Sequence, residues 1–318
     1  MDFKTIGWQD IVLNVPDEWE MVFATKTQKR KGKEMTGYFG FRTTEKKILE
    51  FRWVEVEKGK TPDLDVVIDD YFKTILKERK KIKKRTESGI KVNDHSAKTL
   101  YWITEDMTLH GYIVVWNCDV LKRLIIMQSQ FSSDQANKIK ANIMQILETI
   151  NCHPIDYESK WIAPNLTVMT PRSMNLVKQS FLVGLTFFQL RYKSLDMYCY
   201  RLGLANQKIN SIDELPVWFM NYYPKKLPRI PSGFRPSESE FSKKKIGQTE
   251  GVLWQYNKNI QKRKLPLRSG SEFQGYFWQS EEKNDIYCLI FKYKTQTSTY
   301  KHIRRIIENV VKFAITKN

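Results

Sequence analysis

Leu100-Tyr101-Trp102, then Gly111-Tyr112, then Leu124-Ile125-Ile126-Met127 return later in the chain as Val252-Leu253-Trp254, Gly275-Tyr276 and Cys288-Leu289-Ile290-Phe291. The closing segment returns with them. Ile139, Ile143, Ile146, Leu147 and Ile150 stand opposite Ile303, Ile307, Val310, Val311 and Ala314. The last three matches share one offset of about 164 positions, which chance alignment of apolar residues rarely sustains across a strand and a helix. The chain reads as a duplicated domain, and its two copies can be compared with each other.

Working outward, the first copy opens with Asp10-Ile11-Val12-Leu13-Asn14-Val15-Pro16, a strand stopped by proline, followed by Trp19. The second opens with Asn165-Leu166-Thr167-Val168-Met169-Thr170-Pro171, with Met174 in the tryptophan's place. Two runs rich in aromatic and β-branched residues follow in each, Gly37 to Arg42 and Ile48 to Val56, against Gly184 to Arg191 and Leu195 to Leu202. Such runs suit a pleated, half-buried surface. A helix is expected from Pro62, with Asp63, Asp65, Asp69 and Asp70 in its N-terminal half. Ile68, Phe72, Ile75, Leu76 and Ile82 give its apolar spacing, Lys80 to Arg85 its basic end and Gly89 its stop. In the second copy Ser211-Ile212-Asp213-Glu214 reads as a capping box opening a helix cut at Tyr223 by Pro224. Three or four further strands then lead to a closing helix, expected to start at a second capping box, Ser132 to Gln135. Each copy therefore reads βββ-α-βββ-α, an α+β (α/β) class with a mainly antiparallel sheet and two amphipathic helices. Asn151 to Lys160, carrying Pro154, is the link, so the copies are expected at residues 1–153 and 154–318.

Val15-Pro16-Asp17-Glu18-Trp19, Gly111-Tyr112-Ile113-Val114-Val115 and the helix from Ser132 to Ile150 resemble the PsbP-like family. That fold is shared by the extrinsic photosystem II subunit and the Ran-binding nuclear import factor. The resemblance covers each copy nearly end to end, although the second lacks the Trp after its proline. It implies an α/β/α sandwich used as a binding scaffold, with partners that differ from member to member. It transfers no functional residue.

The 318 residues leave room for two domains, each able to bury its own core. No apolar core opens the chain and no run approaches the ~18 residues of a membrane span, so neither a signal peptide nor a membrane crossing is expected. Cys118, Cys152, Cys199 and Cys288 form no CxxC, and three lie in apolar strand-like runs as small buried hydrophobes. A reducing, cytoplasmic compartment is expected.

The search for chemistry is thin. There is no HExxH, GxSxG, Walker-type loop or GxGxxG. Of the four histidines, His95, His110, His153 and His302, none has a Cys or Asp at metal-ligand spacing nearby apart from Cys152-His153. Adjacent residues rarely share one ion, so Cys152-His153 reads as plain linker. The expectation is no enzyme, no cofactor and no metal.

The net charge of +18 favours a polyanionic partner, although blocks of like charge are also plain solvated loops in many proteins. Lys26 to Lys33, including Lys29, Arg30 and Lys31, reads as a projecting loop. Two segments longer than their twins carry Arg235, Lys243, Lys244 and Lys245, and Lys258, Lys262, Arg263, Lys264 and Arg268. Proline-spaced basic arms can lie along a phosphate backbone at low entropy cost. Of the nearby aromatics, Trp254 and Tyr276 have twins in the first copy and read as core. Phe234 and Phe273 have none and are the candidates for stacking on bases. The first reading is a non-enzymatic binding protein for RNA or a ribonucleoprotein surface, RNA being favoured over duplex DNA. The alternative is an adaptor that recognises an acidic partner protein.

Overall fold

Alternation of apolar and polar residues makes the strands, and pairing them brings distant residues together. The computed structural model describes residues 2–24, 28–29, 35–43, 47–57, 59–76, 81–153, 158–163, 166–182, 184–218, 221, 241–256, 271–294 and 297–314. The chain divides into two compact units, Met1–Lys160 and Trp161–Asn318. Pro154, the expected dividing point, lies outside the described residues.

In the first unit β1 (Phe3–Trp8), which the sequence reading did not anticipate, forms an antiparallel hairpin with β2 (Ile11–Pro16). Then come β3 (Glu20–Ala24), β4 (Gln28–Lys29), β5 (Met35–Arg42), β6 (Lys47–Glu55) and α1 (Leu64–Leu76). They are followed by β7 (Ile82–Val92), β8 (His95–Thr104), β9 (Leu109–Cys118), β10 (Arg123–Ser132) and α2 (Ala136–Thr149). The sheet runs β3-β5-β6-β10-β9-β8-β7, with β4 on β5, and its pairings are antiparallel.

Both faces of this sheet are buried. Leu100, Trp102, Ile113, Val115 and Leu124 pack with Ile68 and Phe72 of α1. Strand periodicity sends the alternate residues to the other side, and Thr99, Val114, Trp116, Ile125 and Met127 are buried there as well. On that side α2 contacts β10 and β2, with Ile139, Asn142, Ile143, Ile146 and Leu147 buried.

Three local expectations are corrected here. The first helix ends at Leu76, and Ile82 to Arg85, read as its basic end, begin strand β7. Gly89 does not stop a helix; it takes φ +89° where the register shifts between Ser88 and Ile90, as a bulge requires. Ser132 makes no side-chain cap, because the chain first turns through a 3-10 segment, Ser133–Gln135.

In the second unit β11 (Glu158–Ala163) crosses the division. It is followed by β12 (Leu166–Pro171), β13 (Asn175–Leu182), β14 (Leu185–Tyr192), β15 (Leu195–Gly203), β16 (Phe241–Ile246), β17 (Thr249–Tyr256), β18 (Ser271–Ser280), β19 (Asp285–Lys294) and α3 (Tyr300–Lys312). Its sheet, β13-β14-β15-β19-β18-β17-β16, repeats the seven-strand path of the first, without a counterpart of β4 among the described residues. One face, with Phe187, Tyr200, Val252, Trp254 and Ile290, packs against Ala205, Ile209 and Leu215. Here too the expected cap is altered: Ser211 makes no side-chain bond, and Glu214 instead accepts from the backbone N–H of Asn210 at 2.9 Å. Residues 215–218 and 221 are helical, and the other positions of that expected helix, 219, 220, 222 and 223, lie outside the described residues. On α3, Ile303, Ile306, Ile307, Val310 and Val311 are buried, position for position as on α2. The fold class is α+β with mainly antiparallel sheets.

Candidate functional site

β7 and β16 occupy the same outer place in their two sheets, each paired among the described residues on one side only, to β8 and to β17. Each carries three consecutive cations, Lys83-Lys84-Arg85 and Lys243-Lys244-Lys245, and all six side chains are exposed. The basic charge was expected where the copies differ. These two triplets instead lie on an element that the copies share.

Alternation along each strand separates the cations into two sets. Lys84 turns towards α1, where its Nζ lies 3.0 Å from Asp69 Oδ1, and Lys98 on β8 reaches Asp65 at 3.0 Å. Lys243 likewise meets Asp213 at 2.8 Å. The acidic group of α1 is thus partly a counter-charge for the basic strand. It also caps its own helix, since Asp63 Oδ1 accepts from the Asp65 backbone N–H at 2.9 Å.

Beside each outer strand, on the side of the closing helix, lies a shallow groove. In the first unit it measures about 390 Å³ and is lined by Lys83, Arg85, Tyr101, His110, Tyr112 and Lys140. In the second it measures about 340 Å³ and is lined by Lys244, Gln255, Gln274, Tyr276, Arg304 and Lys312.

The other expected site residues fare differently. Lys258, Lys262, Arg263, Lys264, Arg268, Arg235, Arg30, Lys31 and Phe234 lie outside the described residues, and for Lys29 only the backbone is described, in β4. Phe273 is not available for stacking. It is 4% exposed and packs with Trp254 inside the second core, because its position on β18 faces the layer under Ala205 to Leu215.

His110 of the first groove also touches a serine, a contact that sequence spacing did not suggest. His110 Nε2 lies 3.0 Å from Ser133 Oγ, and Tyr101 Oη is bonded to His110 Nδ1. The Ser133 hydroxyl donates to the carbonyl of Met107. His110 Nε2–H must therefore donate to Ser133, which leaves Nδ1 to accept from Tyr101. A serine whose proton points at a carbonyl is not activated by that histidine.

A second cluster forms at the other end of the first sheet. His95 starts β8, Cys118 ends β9, and Cys152 and His153 follow α2. Their four potential ligand atoms all lie within 4.8 Å of one another. His95 Nε2 is 3.4 Å from His153 Nδ1, and the sulfurs of Cys118 and Cys152 are each 3.6 Å from that nitrogen. Of the two thiols, Cys118 is the one held below its ordinary range, first by the hydrogen bond from Cys152 and against the effect of burial. The reading of Cys152-His153 as plain linker is corrected: the antiparallel β8–β9 pairing brings His95 and Cys118 to them. The remaining cysteines, Cys199 and Cys288, are buried free thiols pushed upward by burial.

No family model matches the chain, and no curated protein matches it in sequence. Solved structures similar to it include the apo form of the T6SS immunity protein TplEi from Pseudomonas aeruginosa, 9% identical with a TM-score of 0.42 over 99% of this chain and 97% of that one. The Tle4–Tli4 complex is 10% identical with a TM-score of 0.41, over 99% of both chains. Cyanobacterial PsbP (CyanoP) from Synechocystis is 13% identical with a TM-score of 0.34, over 48% of this chain and 92% of that one. These are likenesses of fold, with PsbP-like folds among them, and none brings a function to this chain. Among the described residues no helix is long and apolar enough to cross a membrane.

Proposed function

We propose that this chain is a non-enzymatic binding protein that engages an acidic protein partner along β7 and β16. The carrying observation is that the same outer strand, paired on one side only among the described residues, bears three exposed cations in both units. An outer strand offers its free backbone N–H and C=O groups to an extended segment of another chain. Cations on both faces of that strand select a segment rich in Asp and Glu, and suppress pairing with a second copy of the same basic strand. The adjoining grooves receive side chains of the added strand on one face. The proposal rests on the outer strands alone.

RNA is the second reading, favoured by Tyr101 and His110, which are half-buried beside Lys83 and Arg85. Phosphate contacts and stacking would both be served there. The burial of Phe273 removes one of the two aromatics on which that reading first leaned.

Native pull-downs with and without nuclease, using wild type and charge-reversed outer strands, separate the two. The triple replacements are Lys83→Glu, Lys84→Glu and Arg85→Glu, and Lys243→Glu, Lys244→Glu and Lys245→Glu. A protein partner should persist through nuclease treatment and be lost in the charge-reversed variants, which should fold normally because the residues are exposed. Loss of everything captured on nuclease treatment would move the assignment to RNA. Full capture by both variants would remove the outer strands from either mechanism.

A further inference from the structure

The cluster at the base of the first sheet has the composition and spacing of a metal site. A tetrahedral zinc ion holds nitrogen ligands at about 2.0–2.1 Å and thiolates at about 2.3 Å. Those lengths place nitrogen about 3.3–3.4 Å from nitrogen, and about 3.5–3.6 Å from sulfur. The structure has His95 Nε2 and His153 Nδ1 3.4 Å apart, and each sulfur 3.6 Å from His153 Nδ1. Each of these separations matches a tetrahedral edge. We propose that His95, Cys118, Cys152 and His153 form a structural site for one zinc ion.

The surroundings support that assignment. Cys118 and Cys152 are 1% and 0% exposed and His95 is 9% exposed, so three of the four ligands are shut from water. Both cysteines are free thiols. The buried indole Nε1 of Trp116 adjoins the Cys152 sulfur, and a metal-bound thiolate there would accept its N–H. Four protein ligands fill the coordination shell, which fits a structural role and leaves no position for substrate. Uptake of one zinc ion converts both thiols to thiolates and releases their two protons to solvent. The ion would tie the segment after α2, where Asn151 is bridged to Val12 of β2, to the ends of β8 and β9.

The second unit supplies a comparison. Gly247 stands as far before Trp254 as His95 stands before Trp102. It takes φ +56°, and a Cβ placed on it would meet the carbonyl of Ala314, at the end of the closing helix, at 2.8 Å. The junction that one unit builds from four ligands is closed in the other by direct backbone approach. The site is therefore an addition to the first copy and no requirement of the fold.

The test uses the reduced full-length chain, freed of metal and titrated with cobalt(II), then with zinc. One equivalent of cobalt should give the intense visible bands of a four-coordinate ion and a thiolate-to-cobalt absorption in the near ultraviolet. One equivalent of zinc should abolish both. His153→Ala, at the half-buried ligand, should keep the fold and lower zinc affinity by at least about tenfold, since even second-layer groups cost 10–100-fold. Cys152→Ser should weaken the thiolate band. No stoichiometric uptake by the wild type, a weak six-coordinate spectrum, or unchanged affinity in His153→Ala would each overturn the assignment. A Cys118–Cys152 disulfide in protein isolated without oxidant would do the same.

Discussion

Gly111→Ala tests whether the repeated Gly-Tyr and Trp signatures are a packing device. Gly111 on β9 pairs across the sheet with Trp102 on β8, and the indole lies over the glycine. A Cβ there would stand 2.0 Å from Cε2 and 2.3 Å from Cζ2 and Nε1 of that ring. Carbon atoms rest at about 3.5–4.0 Å, so the ring would have to retreat by about 1.5 Å. It has nowhere to go: Trp102 is 0% exposed and packs with Ile68, Phe72, Leu100 and Val115. Overpacking of a closed core costs about 1–3 kcal/mol, and a clash this deep belongs at the upper end. Replacing glycine in a strand returns about 0.5–1 kcal/mol of backbone entropy. The net expectation is a loss of about 2 kcal/mol, read as a lower urea midpoint at constant slope in fluorescence-monitored unfolding. Gly37, with Trp53 atoms 2.3 Å from its Cβ position, should behave alike; Gly275, whose tryptophan contact is 3.0 Å, should cost less. A second change, Trp102→Phe, should shrink the Gly111→Ala penalty by about 1 kcal/mol, because the two residues couple through one contact. The reasoning fails if Gly111→Ala shifts stability by less than ~0.5 kcal/mol, or if the penalty is the same in both backgrounds.

Two further outcomes follow from buried polar groups. Asp285 is 1% exposed and accepts from Arg201 Nε at 2.8 Å and Tyr287 Oη at 3.0 Å; Asp285→Ala leaves a largely buried guanidinium unpaired and should cost about 3–5 kcal/mol in thermal unfolding, with a cost below 1 kcal/mol counting against the pair. Burial pushes Tyr71 and Tyr198 up to about 12, above the ordinary value of about 10. For these acids the neutral form is favoured in the native state, so their contribution is fully present below pH ~10 and is lost as pH rises from ~10 towards ~12. Phenolate absorbance of the Tyr71→Phe/Tyr198→Phe protein should lose two tyrosines' amplitude near pH 12, while Tyr38, Tyr287 and Tyr293, also raised by burial, still titrate late; loss of that amplitude near pH 10 instead would contradict the burial argument.

The apolar pattern was a good guide wherever burial alone decides position. The stripes of α2 and α3 agree residue for residue, down to Asn142 opposite Ile306. It failed where register decides. Under one constant offset Gly275 should pair with Lys294, as Gly111 pairs with Gln130, yet it pairs with Ile290. An even slip leaves every side chain on its own face, so an alternating sequence carries no signal of it. The first helix was read too long for a related reason: Ile82 suits both a helical stripe and the start of a strand, and only pairing with Thr104 on β8 settles which. His95, Cys118 and Cys152 are far apart in sequence and share no motif, so only antiparallel pairing could bring them together.

The outer strands bear a similar double reading, and their details separate its parts. Lysines on a sheet edge are the usual guard against edge-to-edge aggregation. In each unit one cation is tied to the body of the protein, Lys84 to Asp69 and Lys243 to Asp213. These pairs are about half-exposed or more and contribute little to stability, but they hold the charge on the strand. Their neighbours Lys83 and Lys244 turn to the opposite face, beside the two grooves. Guarding an edge calls for charge but not for a groove beside it, nor for the same arrangement twice. Recognition of an extended acidic segment calls for both, because the free backbone edge provides register, the grooves accept every second side chain, and the cations choose the sequence.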